Sequence, residues 1–465
     1  MSARSPGRPK DLSTSVQPLQ LFTIAFGTVV GITWIFLSGP WLRAAGSLGS
    51  VLALMLGGIS MLPIAWCYAR LAEAYPGTGG ELLYVGRTLG VWPGLMAGWL
   101  LAFSYITLVA FHLVTVAWLV DISLDHLPLG RLHQLPLMRA AGIGVSALAF
   151  AAIIATNLRG LRAASRAQDW VVTVLLVATL GFAANSLRLG RFTYLHPYLV
   201  TVPGRPFAGV LSVLAMAPFL FGGFGTAVQA ISASPGTRPR SVFAALGAAV
   251  IAAAVFYSVI VLSIAAALPR GQLLRYAMPA LDAFSRAFHS PLATVSVCVL
   301  ALVALCTSWN GVFLAGWRLV RALGHAELLP EWFAPRSESA NAERRPIVIV
   351  SALSVVLAVQ GRSGLLGIVN SVAFMIALIF LLMAAGTLRH LLRLGVPATV
   401  SRTLRLGLAA IATLVALAVM LLAGYNLAAS ASSSSDLLAV IACVLAFVVL
   451  AMARRSRVTG QQSLE

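Results

Sequence analysis

The groups in this sequence best suited to hold a ligand are backbone groups at two glycine interruptions of apolar stretches. The first stretch, 19–42, reads LQLFTIAFGTVVGITWIFLSGPWL and is interrupted by Gly27, Gly31 and the Gly39-Pro40 pair. It is long enough to cross a bilayer, since about 20 apolar residues at 1.5 Å rise span the hydrocarbon core. A helix serving only as an anchor avoids residues that cost about 1 kcal/mol (Gly) or about 3 kcal/mol (Pro) relative to Ala. An unwound turn at membrane depth exposes N–H and C=O groups, tolerable only where they line a protein cavity and meet a ligand or ion. The second stretch, 207–231, carries Pro218 and then Phe221-Gly222-Gly223-Phe224-Gly225. Broken segments at corresponding positions in two halves of a chain point to a binding site near the bilayer midplane, between inverted repeats. The candidate substrate contacts are therefore Thr28, Gly31, Ile32 and Thr33 at the first break, and Phe221, Gly222, Gly223 and Phe224 at the second.

Two further candidates are side chains. Tyr105 and His112 lie seven residues apart in one apolar run, so they share a helix face. An ionisable group inside a membrane is expensive and points to function, while a neutral His bonded to a neighbouring helix is the structural alternative. No catalytic constellation accompanies them. The seven His are scattered singly, and Cys67, Cys298, Cys306 and Cys443 sit in or at the ends of apolar segments without metal-ligand spacing. Neither a disulfide nor a metal site is expected, and no phosphate-binding P-loop is present. An enzyme and a self-contained ATP-driven pump are both disfavoured.

The elements that must position these groups are membrane helices. Of 465 residues, 60% are hydrophobic and only 10% charged, where a soluble chain averages about a quarter charged. Residues 1–18 hold Arg4, Arg8 and Lys10, and no small-residue cleavage site follows the first apolar run, so that run is expected to target the chain itself. Further apolar runs at 50–68, 91–120, 138–156, 170–185, 242–268, 291–320, 347–360, 365–388, 404–428 and 437–453 bring the expected spans to twelve. The fold class is thus an all-α integral membrane protein. Its first and sixth helices are discontinuous within a five-plus-five inverted repeat, and two extra helices follow. The expected units are an N-terminal tail 1–18, repeats 19–187 and 207–388, helices eleven and twelve at 404–453, and a C-terminal tail 454–465. The polar, turn-rich stretch 69–87 reads as a loop on the cytoplasmic side.

The net charge of +19 would suit a nucleic-acid partner, but the basic residues are spread through short loops rather than gathered on one polar domain. Topogenesis accounts for them better. With the N-terminus inside, the inside loops hold most of the Lys and Arg, which places both termini in the cytoplasm. The expected partners are the lipid bilayer and a small-molecule substrate.

The run from Tyr68 to Tyr84, YARLAEAYPGTGGELLY, resembles the amino acid, polyamine and organocation permease family. Its members end the second span in Y-A-E-L and continue through a proline to G-G-E-x-x-Y. Pro76, Gly79, Gly80, Glu81 and Tyr84 match that pattern, and Arg70 stands where the family has an acidic residue. A second match, Arg318 to Pro330, is similar to the family's R-x-L-x-A-x-A-R-D-G-x-L-P, with Ala326-Glu327 in place of Asp-Gly. At the first break the family's G-x-G-S-G is represented by Gly31-Ile32-Thr33, and after the second break Gly225, Thr226 and Gln229 replace an acidic residue common in the family. The resemblance implies the leucine-transporter-type fold. It also implies a secondary active transporter of an amino acid or related amine, working by alternating access in a cell membrane, with the bacterial inner membrane as the expected setting. An exchanger or exporter of a polyamine or other organic cation, and a transporter-like sensor, are the alternatives. No cofactor is implied beyond a coupling ion, Na+ or H+. In sodium-coupled relatives hydroxyls of the eighth span face carbonyls of the broken first helix, and here Thr307 and Ser308 resemble them, although such hydroxyls also bond their own backbone. Members with a Lys in span five replace the ion by an ammonium, and this span has none.

Overall fold

Helices account for nearly everything in the computed structural model, which describes residues 18–462 apart from 32, 77–78, 126–135, 160–163, 226–238, 274, 277, 289–290, 331–332, 334–340, 394–399 and 431–433. The first apolar stretch is split into α1 (Pro18–Val30) and α2 (Thr33–Ala45), whose axes meet at 52°. Gly31, between them, has φ +22°, outside the range an L side chain adopts comfortably. The first half continues with α3 (Ser47–Ala74), α4 (Gly80–Leu89), α5 (Val91–Asp125), α6 (Pro136–Arg159) and α7 (Ala164–Leu189). The sixth apolar stretch gives two short pieces, α8 (Ala208–Leu214) and α9 (Ala217–Phe221), then the Gly222-Gly223 turn, and its remainder from 226 lies outside the described residues. There follow α10 (Pro239–Ala267), the short α11 (Arg270–Leu273) and α12 (Pro279–Phe288), α13 (Pro291–His325), α14 (Asn341–Ala358), α15 (Leu365–Arg393), α16 (Val400–Ser430) and α17 (Ser434–Gln462).

Seven described helical stretches are long and apolar enough to cross a membrane, and the bent α1–α2 pair makes eight. The other expected segments coincide with α7, α8 and α9, α13, and α14. The protein is an all-α, multi-pass membrane protein. Packing is layered around α5, α10, α13 and α15. α5 lies against α13 and α15, and α3 lies along α10, which also receives α1. In α5 and α15, 72% of the most apolar window is buried, against 28% in α16 and 17% in α17. Such burial puts α5 and α15 in the core and leaves the last two helices facing outward, α16 seated on α15.

One expectation is corrected here. The stretch 69–87 is not a loop: α3 continues to Ala74 and α4 begins at Gly80. Its polar composition hid an amphipathic helix that buries Glu81, Tyr84 and Val85. Gly79 and Gly80, at φ +141° and +51°, make the sharp entry that other residues resist.

Candidate functional site

The two breaks meet. At Gly223 a Cβ would stand 2.9 Å from the carbonyl carbon and oxygen of Thr28, so the turn after α9 presses directly on the end of α1. Backbone approach this close is open only to glycine. Across the first break stands α13: the Ser308 hydroxyl oxygen is 3.6 Å from the position of a Cβ on Gly31.

A third helix holds the break open. The intrahelical partner of the Val29 carbonyl would be the N–H of residue 33, but the chain has left α1 by then. The hydroxyl of Tyr257, on α10, donates to that carbonyl at 2.6 Å. Its proton is thereby committed, so the Thr33 hydroxyl, 2.8 Å away, is the donor in the second bond. Tyr257 is fully buried. It spans the break from the last turn of α1 to the first residue of α2.

These elements enclose a cavity of about 60 Å³. Thr28, Gly31 and Thr33 line it from the first break, and Gly222 and Gly223 from the second. Ser308 lines it from α13, and Tyr105 and His112 from α5, as their common face requires. Ile376 and Phe380 of α15 close it on an apolar side. The Thr28 hydroxyl is turned back to the Ile24 carbonyl at 2.7 Å. His112 is bonded within its own helix rather than to a neighbour: Nδ1–H donates to the Leu108 carbonyl at 2.6 Å. Its ring stacks on Trp309, centroids 6.0 Å apart at 22°. With Nδ1 engaged, Nε2 is the nitrogen left to take a further partner.

Other sequence candidates fall elsewhere. Phe221 and Phe224 are fully buried and do not line the cavity. Phe221 packs toward Tyr257, 6.0 Å between centroids, and Phe224 lies between Tyr68 and Phe380 at 5.2 and 5.6 Å. Ile32 lies outside the described residues, as does the side chain of Thr307, whose backbone belongs to α13. Residues that the sequence reading did not assign to the site also line the cavity: Tyr68 on α3 and Glu81 on α4, named there only for the family motif, and Phe219 on α9. Tyr257 carried a faint signal, since a tyrosine in an Ala- and Val-rich span needs a partner for its hydroxyl.

The amino acid permease family model matches residues 16–450. The chain is 30% identical over 244 residues to the Amino-acid permease RocC of Bacillus subtilis, a match covering 50% of this chain and 48% of that protein, so it spans about half the length of that relative. It is 25% identical over 382 residues to the Branched-chain amino acid permease BcaP of Lactococcus lactis, covering 78% and 77% respectively. A third relative, Cationic amino acid transporter 4, vacuolar, of Arabidopsis thaliana, is 24% identical over 404 residues, covering 84% and 65%.

Proposed function

The chain belongs to the amino acid permease family, and from that premise we propose that it is a secondary active transporter of an amino acid, working by alternating access. The observation that carries the reading is the contact of the two breaks: Gly223 against Thr28, with the cavity beside them. Unwound backbone buried in protein at membrane depth offers N–H groups to a carboxylate and C=O groups to an ammonium, the two charges of an amino acid. The cavity is compact, about 60 Å³, and in this reading the halves 19–187 and 207–388 move apart to admit an amino acid, the motion alternating access requires. No chemical step is needed.

The same geometry supports coupling to a sodium gradient. Ser308 faces the break, and carbonyls at the end of α1 could join its oxygen around a hard cation carried as co-substrate. In this reading both termini are cytoplasmic and the protein works in the cell membrane. The test is uptake of labelled amino acids into proteoliposomes holding the purified chain. Accumulation against a gradient supports the reading, whereas binding without flux turns it into a sensor.

A further inference from the structure

We propose that the end of α7 and the helix α12 together hold a site for a phosphate-type oxyanion, gripped by the guanidinium groups of Arg191 and Arg286 over the buried hydroxyl of Ser186. It is separate from the site at the helix breaks, since the two cavities share no lining residue.

A cavity of about 220 Å³ opens where α7 ends against α10, with Ser186, Arg191, Tyr194 and Arg286 in its walls. Gly190 makes the turn that builds it. A Cβ there would lie 2.7 Å from the Ala266 carbonyl oxygen, so backbone approach this close is open only to glycine. The next residue is then pinned: the Arg191 N–H donates to that same carbonyl at 3.1 Å, and its guanidinium stands 5.9 Å from the centre of the Tyr194 ring. From the other side α12 packs on α7 and brings Arg286, which donates one N–H to the Gln272 side chain at 2.9 Å. A guanidinium has five donors, so most remain for a ligand.

Two cations on one cavity repel unless an anion lies between them or carboxylates neutralise them. Among the described residues neither guanidinium has an ion pair. From 170 to 326 the chain holds one acidic residue, Asp282, which does not line the cavity. The nearby positions outside the described residues, Leu274, Ala277, His289 and Ser290, carry no carboxylate. In the orientation proposed above this end faces outward, where arginine works against the insertion signal, so topogenesis does not account for the pair. Ser186 points the same way. It is 1% exposed, and its hydroxyl has no hydrogen-bond partner among the described residues. Ser104, Ser258 and Ser263 turn theirs back to the carbonyl four residues earlier at 2.7 Å, and Ser186 does not. A buried hydroxyl left unpaired is costly, so this donor has an acceptor to gain. The guanidinium fork matches the oxygens of a phosphate group, whether free in water or on a lipid headgroup.

The experiment measures thermal stabilisation of the purified full chain in two arms. In detergent, inorganic phosphate replaces chloride at constant pH and ionic strength; in nanodiscs, phosphatidylglycerol replaces phosphatidylcholine. The wild type is expected to show saturable stabilisation by phosphate. Arg191→Gln and Arg286→Gln should each raise the half-saturating concentration about tenfold or more, the worth of one charge-assisted hydrogen bond, and Ser186→Ala roughly 3- to 10-fold. Arg275→Gln removes the same charge outside the cavity and should leave the response unchanged. If either arginine variant does not fold, the other and Ser186→Ala carry the test. Stabilisation by phosphatidylglycerol alone, lost in the same variants, assigns the oxyanion to a lipid headgroup. The general salting effect of phosphate does not saturate and acts on every variant alike. Equal responses of wild type and variants in both arms, chloride serving as well as phosphate, or no response of the wild type in either arm overturns the proposal, and none of these outcomes bears on amino acid uptake.

Discussion

Gly223 and Thr28 touch through their backbones: a Cβ on the glycine would lie 2.9 Å from the threonine carbonyl carbon and oxygen and 3.0 Å from the Val29 nitrogen. One methyl group is therefore enough to force the two breaks apart. Overpacking of this kind costs about 1–3 kcal/mol, and an approach made of backbone has no side chain that can swing aside. Gly223→Ala should still insert and fold, but its ligand-induced stabilisation and its uptake should fall at least roughly tenfold, at about 1.4 kcal/mol per decade. Unchanged uptake would show that the contact is packing alone.

Tyr257 makes a separate prediction, because its hydroxyl replaces a backbone donor. In Tyr257→Phe the Val29 carbonyl loses its bond at 2.6 Å and the Thr33 hydroxyl loses its acceptor. The expected cost is about 1–3 kcal/mol, the penalty for a buried polar group left without a partner. Thr33→Val removes only the second bond and should cost about 1 kcal/mol. Combining the two variants gives the coupling between them, which should be nonzero because they share one hydroxyl. If denaturation shows the loss while substrate affinity stays unchanged, Tyr257 is a brace for the helix and has no hold on the site.

The breaks were legible in the sequence because glycine and proline within an apolar run are costly, and the cost is local. Tyr105 and His112 share a face for the same local reason, helical periodicity. Phe221 and Phe224 show where the reading stops. They flank Gly222-Gly223, but their side chains leave the turn toward Tyr257 and toward Tyr68 and Phe380, and which way a residue beside a break points depends on neighbours far away in sequence. Tyr257 and Glu81 went unassigned to the site in the same way. Val29 and Tyr257 are 228 residues apart, and no spacing rule reaches that far. The helix α4 was hidden by the polar residues and glycines that start it, which read as a turn.

The turn after α13 yields a stability prediction independent of transport. Glu327 has φ +61°, while its N–H donates to the Gly324 carbonyl at 2.9 Å and that of Leu328 to the Leu323 carbonyl at 3.1 Å. This is the closing turn of a helix, where a left-handed residue is usually glycine. A side chain there carries a steric cost of roughly 1–2 kcal/mol. Glu327→Gly should therefore raise the midpoint of thermal unfolding, offset in part by the larger entropy of glycine in the unfolded chain. The residue is exposed and does not line the cavity, so uptake at low temperature should not change. A lower midpoint would mean that the glutamate side chain contributes more than its backbone strain costs.

The last prediction concerns the coupling ion. Ser308 places its hydroxyl 3.6 Å from the Cβ position of Gly31, at the point where α1 loses its hydrogen-bonding pattern. Carbonyl oxygens freed there suit a hard cation, but the Val29 carbonyl already accepts from Tyr257 and keeps only its second lone pair for an ion. The serine oxygen then matters more, since fewer backbone ligands are free. An inward sodium gradient across proteoliposomes should drive accumulation by the wild type, and Ser308→Ala should raise the sodium concentration for half-maximal uptake by about tenfold, on the order of one lost oxygen ligand at about 1.4 kcal/mol per decade. Thr307→Ala, measured beside it, tells whether the neighbouring hydroxyl takes part. Accumulation that follows an imposed pH gradient and ignores sodium in all three proteins would assign the coupling to a proton. Ser308 would then be left as a packing contact against Gly31.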